Sequence, residues 1–260
     1  MKKEIVPAKE TGGDITTFAD EFEKDAQLGG KLGAADLALP FVKVLQGLSS
    51  QLKRDKPDFI KGAAIGDICL TVLNRLWPGD EGVDIIFCHY SRVFCEWKPD
   101  FGGLAGVYAP EDPIVLSTPA GEKGRRFLPN GNELIETAYH AILIDVDGNW
   151  MRAVMPLKST MLKISKRMNN ILSAFELPNK AGELVPAPRW SRIFRMTTGT
   201  ATGGGNDWAV PKFDVLDGHV DRSTYVVAKA WAVAADKQTN FAASEAAQGG
   251  GGKVVDEVPF

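Results

Sequence analysis

Apolar and polar residues alternate along two stretches in the first half of the chain, residues 67–77 and 83–97, as expected of β-strands. Between them lies the sequence Pro-Gly-Asp-Glu-Gly, residues 78–82, which is typical of a turn. The two strands are therefore predicted to pair as a hairpin. In the second strand the alternation assigns one face to Val83, Ile85, Phe87 and His89, and the other to Ile86, Cys88 and Tyr90.

The second half of the chain contains a clearer hairpin pattern. Residues 137–146 and 150–157 alternate on either side of an Asp-Gly-Asn turn, which predicts two paired strands. Further along, strands are predicted over residues 189–200 and 208–216, and a helix over residues 218–247.

An amphipathic helix is predicted directly after the second hairpin. Apolar residues recur at three- and four-residue spacing between Met161 and Phe175, and Ser159 or Thr160 is a candidate cap. The other side of this helix carries Lys163, Lys166 and Arg167. One side is expected to pack and the other to present positive charge.

Together these elements predict a mainly β protein with α-helices, of the α+β class. Several hairpins with a basic helix between strands favour a Greek-key barrel of the oligonucleotide-binding type (OB-like), enlarged by loops and followed by a C-terminal helix. Residues 1–35 are expected to form a flexible N-terminal arm, residues 36–247 a single OB-like nucleic-acid-binding domain, and residues 248–260 a Gly-rich linker with an acidic tip. The arm can pack on the body or on a second subunit, and in the second case the protein would be a homodimer.

The stretch between the two hairpins, residues 98–131, is rich in glycine and proline and only weakly periodic. A loop of that length in a compact domain is usually functional or disordered. It contains Phe101, Arg125, Arg126 and Phe127, and exposed aromatics mixed with arginines favour a flap over a strand of DNA. The alternative is that its aromatic residues only anchor the loop to the body.

Charge is distributed unevenly along the chain. The formal net charge is −3, but residues 150–195 carry nine Lys and Arg against Glu176 and Glu183. Residues 1–35 and 236–260 each carry two more acidic than basic residues. A basic body with acidic ends is the asymmetry expected of a nucleic-acid binder whose tails regulate or recruit, although a solvated basic face is the alternative.

Composition indicates an intracellular protein without a membrane anchor. There is no run of about 18 apolar residues, and no apolar stretch follows Lys2 and Lys3, so neither a membrane span nor a secretory signal is predicted. We expect a cytoplasmic location, which is the host cytoplasm if a phage encodes the chain.

The pattern of reactive residues favours a binding protein over an enzyme. Cys69, Cys88 and Cys95 are odd in number and form no Cys-x-x-Cys pair, so neither a disulfide framework nor a metal site is predicted. The three histidines are scattered, and no nucleophile elbow, metalloprotease motif or phosphate-binding loop is present. No catalytic residue and no cofactor is predicted.

The last residues carry the most specific signal. After the glycines at 249–252, the chain ends in Asp256, Glu257, Val258, Pro259 and Phe260. This ending resembles the C-terminal tip of bacterial and phage single-stranded DNA-binding proteins, although the acidic run here is only two residues long. The resemblance implies that the body holds single-stranded DNA while the tip recruits replication and repair proteins.

On this reading, bases stack on exposed aromatic rings while cations follow the phosphates. The candidates for stacking are Trp97, Phe101, Trp150, Trp190 and Phe194. The candidates for phosphate contacts are Arg92, Lys98, Arg125, Arg126, Lys158, Lys163, Lys166, Arg167, Arg189, Arg192 and Arg195.

Two other functions fit the same sequence. One is an adaptor or inhibitor whose tip binds a host replication factor while the body makes no DNA contact. The other is a double-strand binder or recombination mediator, which differs in whether duplex DNA competes with single strands.

Overall fold

The computed structural model describes residues 37–99, 102–203, 205–238 and 241–248. The predicted N-terminal arm, Phe101 and residues 249–260 of the predicted linker and tip lie outside these residues. The strands are β1 Val42–Val44, β2 Ile68–Leu70, β3 Arg75–Trp77, β4 Val83–Trp97, β5 Leu104–Tyr108, β6 Arg126–Phe127, β7 Glu133–Val146, β8 Asn149–Lys158, β9 Glu176–Pro178, β10 Leu184–Pro186, β11 Phe194–Gly203 and β12 Asn206–Val215. The helices are α1 Pro113–Leu116, α2 Leu162–Ser173, α3 Arg222–Lys237 and α4 Phe241–Ala247.

The main sheet is antiparallel and has the strand order β12-β11-β4-β7-β6. In addition, β5 pairs with the end of β4, and β8 pairs with the greater part of β7. The remaining strands form two small sheets, β1-β2-β3 and β9-β10. The α+β class is confirmed. The described strands form open sheets and no closed barrel, so the OB-like barrel is not confirmed.

The main sheet has an apolar core on each face. One core contains Phe87 and Ile142 of the sheet together with Met168 and Leu172 of α2, and we call this side the α2 face. The other core contains Ala141 of the sheet with residues of α3 and α4, and we call this side the α3–α4 face. Neighbouring residues of one strand divide between the cores because side chains alternate across a sheet.

A β-bulge in β4 changes which residues reach each face. The register between β4 and β7 shifts between Phe87 and His89, so that His89 lies opposite Ala141 and Tyr90 opposite His140. Residues directly opposite each other share a face. Tyr90 therefore joins Phe87 on the α2 face and His89 lies on the α3–α4 face, the reverse of the assignment from strict alternation.

The second predicted hairpin is confirmed. β7 and β8 are joined by Asp147 and Gly148, whose φ angles of 54° and 85° are those of a type I′ turn.

The first predicted hairpin is wrong. Residues 67–77 form two short strands, β2 and β3, which pair with each other around a turn where Val72 and Asn74 have positive φ. The turn at 78–82 packs instead against β11, where Gly79 O accepts a hydrogen bond from Thr198 N at 2.7 Å. The edge of β4 is consequently paired with β11 and not with β3.

Two other segments differ in detail from the sequence-based expectation. The strand predicted from residue 189 begins at Phe194, because Arg189–Ser191 form a 3-10 turn. The C-terminal helix is divided into α3, which Asp221 caps by accepting from Thr224 N at 2.9 Å, and α4. None of the described helices is long and apolar enough to cross a membrane.

The described part of the predicted flap is folded. It contains β5, α1 and β6, which surround a small core of Phe94, Val115, Leu128 and Leu134. Tyr108 belongs to this core, and its hydroxyl donates to Glu96 at 2.6 Å, so Tyr108 anchors the segment to the body. Phe127 is about half exposed, with the Arg125 guanidinium 4.7 Å from its ring centroid.

Candidate nucleic-acid interface

Many of the predicted phosphate-binding cations already have partners within the protein. Carboxylates pair with four of them: Arg92 with Glu136 at 3.0 Å, Arg125 with Glu133 at 2.7 Å, Lys158 with Glu245 at 2.8 Å, and Arg195 with Asp84 at 2.6 Å. Arg126 donates instead to the carbonyls of Val115 and Thr118 and lies over the ring of Phe94. The ion pairs reduce the charge that the first four residues can offer to a phosphate, and the hydrogen bonds of Arg126 occupy part of its guanidinium.

Lys158 differs from the other paired cations because it is buried. Its side chain is 11% exposed and that of Glu245 is 4% exposed. The ammonium also lies 5.4 Å from the ring centroid of Trp97, and Glu245 accepts a second hydrogen bond from the Tyr139 hydroxyl at 2.7 Å. Lys158 and Trp97 thus belong to the interior of the α3–α4 face.

The predicted stacking residues are mostly part of the cores. Phe194 is fully buried and Trp97 is 4% exposed, so neither ring offers a surface to a base. Trp150 and Trp190 are half-buried against the α3–α4 face. The described structure brings none of these rings onto the cationic side of α2.

Helix α2 presents an unneutralised cationic side. It packs through Met168 and Leu172, and its sequence contains no acidic residue. Lys163, Lys166 and Arg167 are exposed, and none of them lies within ion-pair distance of a carboxylate in the part of the chain that the structure describes. The helix forms as predicted, although neither Ser159 nor Thr160 caps it by a side-chain hydrogen bond.

The 3-10 turn before β11 and the residue that follows it add two arginines beside this helix. Arg189 Nη2 donates to Asn169 Oδ1 of α2 at 2.9 Å. Arg192 lies over the ring of Phe175, 5.4 Å from its centroid, and donates to the Gly218 carbonyl at 2.9 Å. We define the α2 cationic surface as Lys163, Lys166, Arg167, Arg189 and Arg192. The remaining predicted cation, Lys98, is exposed just beyond the end of β4.

Tyr90 is an aromatic residue beside this surface that the sequence pattern did not select. Its half-buried ring lies 5.7 Å from the Arg189 guanidinium carbon and 5.2 Å from the His140 ring. Strict alternation placed Tyr90 on the opposite face, and only the bulge brings it here. The sequence contains no signal for that bulge.

His140 and Ser165 pair a base and a hydroxyl, but inside the core. His140 Nε2 lies 2.8 Å from Ser165 Oγ, and both side chains are buried. Burial lowers the pKa of His140 to about 3, with a smaller contribution from the nearby Arg189 charge. The imidazole is therefore neutral at physiological pH, and its burial leaves no access for a substrate.

The cysteines are likewise interior residues. Cys69, Cys88 and Cys95 are free and buried. Burial raises the pKa of Cys69 to about 11 and that of Cys88 to about 12, which keeps both as unreactive thiols. Among the described residues, no group of three or more His, Cys, Asp and Glu side chains could hold a metal ion.

An open cavity of about 520 Å³ lies away from the α2 cationic surface, between the 78–82 turn and the β11–β12 hairpin. Asp67, Asp80 and Asp207 line it together with Trp208. Three carboxylates repel a phosphate backbone, so this cavity is a poor site for nucleic acid.

The fold and the surface together define an α+β protein that presents a cationic helix on one face of an antiparallel sheet. Residues 9–240 match the family described as Pam3 phage gp34-like protein, and the chain belongs to this family, which indicates a bacteriophage protein. No curated protein and no solved structure matches the chain.

Proposed function

We propose that this protein binds single-stranded DNA without sequence preference and supports phage DNA replication, recombination or repair. The observation that carries the proposal is the set of exposed cations on α2, Lys163, Lys166 and Arg167, which have no carboxylate partner among the described residues. Cations of this kind neutralise backbone phosphates and release condensed counterions, which drives binding to any sequence. Only binding, with no catalytic step, is assigned to this surface.

The acidic tip favours the same role, and the family membership indicates a phage protein. A phage protein that holds single strands works beside polymerases, primases, helicases and nucleases, and a short acidic peptide ending in Pro259 and Phe260 suits recruitment of such enzymes. In the absence of DNA, the acidic tip is expected to bind the α2 cationic surface weakly, because the linker keeps it at high local concentration. DNA then displaces the tip from this surface.

The first experiment measures binding of a fluorescent oligothymidine of about thirty nucleotides across a salt series, with duplex DNA of equal length as competitor. We expect tight binding that salt weakens and that duplex does not displace. Replacing Lys163, Lys166 and Arg167 together by alanine should reduce the slope of log K against log salt by about 2.

A matched control removes the same charges elsewhere. Arg54, Lys56 and Lys61 are also exposed, and their triple alanine variant loses one Arg and two Lys just as the α2 variant does. An equal loss of affinity in both variants would show that net charge, and not the α2 cationic surface, controls binding.

Failure to bind even at low salt would favour the adaptor or inhibitor function, and efficient competition by duplex would favour the double-strand binder.

The tip is tested separately by deleting residues 254–260. We expect DNA affinity that is unchanged or higher, together with loss of binding to a replication enzyme identified by its affinity for the full chain. Retained enzyme binding would contradict the recruitment role.

A further inference from the structure

Arg189 is half-buried and has no anionic partner among the described residues. Its 3-10 turn packs against β4, along the part of the β4 edge that pairs with neither β11 nor β5. The guanidinium is held by Asn169 of α2 and by the ring of Tyr90. Both contacts position the group, and neither neutralises its charge.

The described surroundings of Arg189 provide no counterion for its charge. No carboxylate lies within ion-pair distance of it in the described ranges, and its Nε atom is buried without a hydrogen-bond partner there. Burial lowers the pKa of Arg189, which reflects the cost of keeping this charge away from water. Since a guanidinium stays protonated in proteins, an external anion would offset part of that cost.

The neighbouring groups suit a phosphate as the anion. Lys166 lies three residues before Asn169, on the same side of α2, so its ammonium is within reach of an anion bound to Arg189. A guanidinium binds phosphate oxygens through two parallel N–H groups, a geometry that fits phosphate as well as carboxylate.

An aromatic ring beside the phosphate site points to a nucleotide and not to a free phosphate ion. Tyr90 is half-buried, and its hydroxyl makes no hydrogen bond to a described residue. The Tyr90 ring is held in place by His140, which is uncharged and fixed by Ser165. A ring that is fixed but still partly exposed is what base stacking requires.

We propose that Arg189 and Tyr90 form a subsite for one nucleotide of a single strand, in which Arg189 binds the backbone phosphate and the Tyr90 ring stacks with the adjoining unpaired base. This inference rests on the proposed function and gives it a specific contact. It also predicts a preference for single strands, because bases in a duplex are stacked on each other and cannot reach a side chain beside a sheet.

The test compares oligothymidine with an abasic strand of the same number of phosphates, using the full chain. Wild-type protein should bind oligothymidine more tightly than the abasic strand. Tyr90→Leu should lower the affinity for oligothymidine by about tenfold and leave that for the abasic strand unchanged. Arg189→Gln should lower both affinities, because both strands carry the phosphate.

Tyr90→Phe is the matched control, since it keeps the ring and removes only a hydroxyl without a described partner. It should bind both strands as the wild-type protein does, and urea unfolding should give similar midpoints for all variants. Added inorganic phosphate at constant ionic strength should not displace oligothymidine, whereas displacement at low millimolar concentration would indicate a site for the free ion and overturn the nucleotide subsite.

The outcomes separate this inference from the proposed function. If wild-type protein binds neither strand, the proposed function fails and the subsite fails with it. If wild-type protein binds oligothymidine but Tyr90→Leu and Arg189→Gln bind equally well, the subsite is overturned while the proposed function stands. If Tyr90→Leu weakens both strands equally, Tyr90 supports the surface and does not stack with a base, which also overturns the subsite.

Discussion

Positive charges have opposite environments on the two faces of the main sheet. On the α3–α4 face, Lys158 lies inside the core, where Glu245 neutralises it and Tyr139 completes the hydrogen bonding of that carboxylate. On the α2 face, Lys163, Lys166 and Arg167 point outward from a helix that has no acidic residue. The same residue types therefore stabilise the fold on one face and remain available to a ligand on the other.

The difference shows that local charge density alone is a weak guide to a binding surface. Residues 150–195 are strongly basic throughout, yet Lys158 and Arg195 within them are paired with carboxylates. In the α2 cationic surface, no cation lies within ion-pair distance of a described carboxylate. The most direct experiments therefore change charged groups on one face at a time and measure the free energy of unfolding.

The largest effect on the free energy of unfolding is expected from the buried ion pair of Lys158 and Glu245. Glu245→Gln leaves the Lys158 ammonium in the core without a carboxylate, and we expect it to lower the free energy of unfolding by about 3–5 kcal/mol in urea denaturation. Replacing both partners, with Lys158→Met and Glu245→Leu, should recover part of the loss because neither member of the pair then carries a buried charge, while the Tyr139 hydroxyl still loses its acceptor. A cost below about 1 kcal/mol for Glu245→Gln would mean that the pair behaves as a surface ion pair.

A smaller effect on the free energy of unfolding is expected from His140 of the α2 face when the pH is lowered. The unfolded chain protonates His140 below its ordinary pKa of 6.5, whereas the folded chain does so only near its lowered pKa of about 3. The unfolded state thus binds more protons between these values, so the contribution of His140 to stability is complete above pH 6.5 and is lost as the pH falls toward 3. Lowering the pH from about 7 to about 5 should destabilise the protein through this residue by about 2 kcal/mol.

The variant His140→Gln isolates this contribution. A glutamine can keep a hydrogen bond to Ser165 but does not titrate, so the variant should lose less stability than the wild-type protein between the two pH values. Urea unfolding of both proteins at each pH gives the comparison. Equal losses would indicate that His140 becomes protonated within the folded protein without penalty.

The smallest effect on stability is expected on the outward side of α2. Alanine at Lys163, Lys166 and Arg167 should change the free energy of unfolding by no more than about 1 kcal/mol, since exposed residues outside special contacts contribute little and alanine favours helices. The same variant is expected to lose DNA affinity. A stability loss above about 2 kcal/mol would show that these cations support the fold, and the contrast between the two faces would disappear.

Local patterns predicted the elements that depend on neighbours in the sequence. The β7–β8 hairpin follows from its Asp147-Gly148 turn, and the cationic side of α2 follows from helical periodicity. The first hairpin was predicted by the same reasoning and was wrong, because β3 pairs with β2 while β4 pairs with β7 and β11. Turn composition indicates that the chain reverses, but not which strands become partners.

The sequence by itself thus determined the α+β class, the amphipathic helix and the side of that helix on which positive charge lies, since side-chain direction within a helix or strand is set by local geometry. Only the tertiary structure decided which cations are neutralised, because their partners are distant along the chain, as Glu245 is from Lys158 by 87 residues. It also decided, through one extra residue in β4, that Tyr90 lies beside Arg189. A bulge depends on how two strands match in register, and that match exists only after the strands have paired.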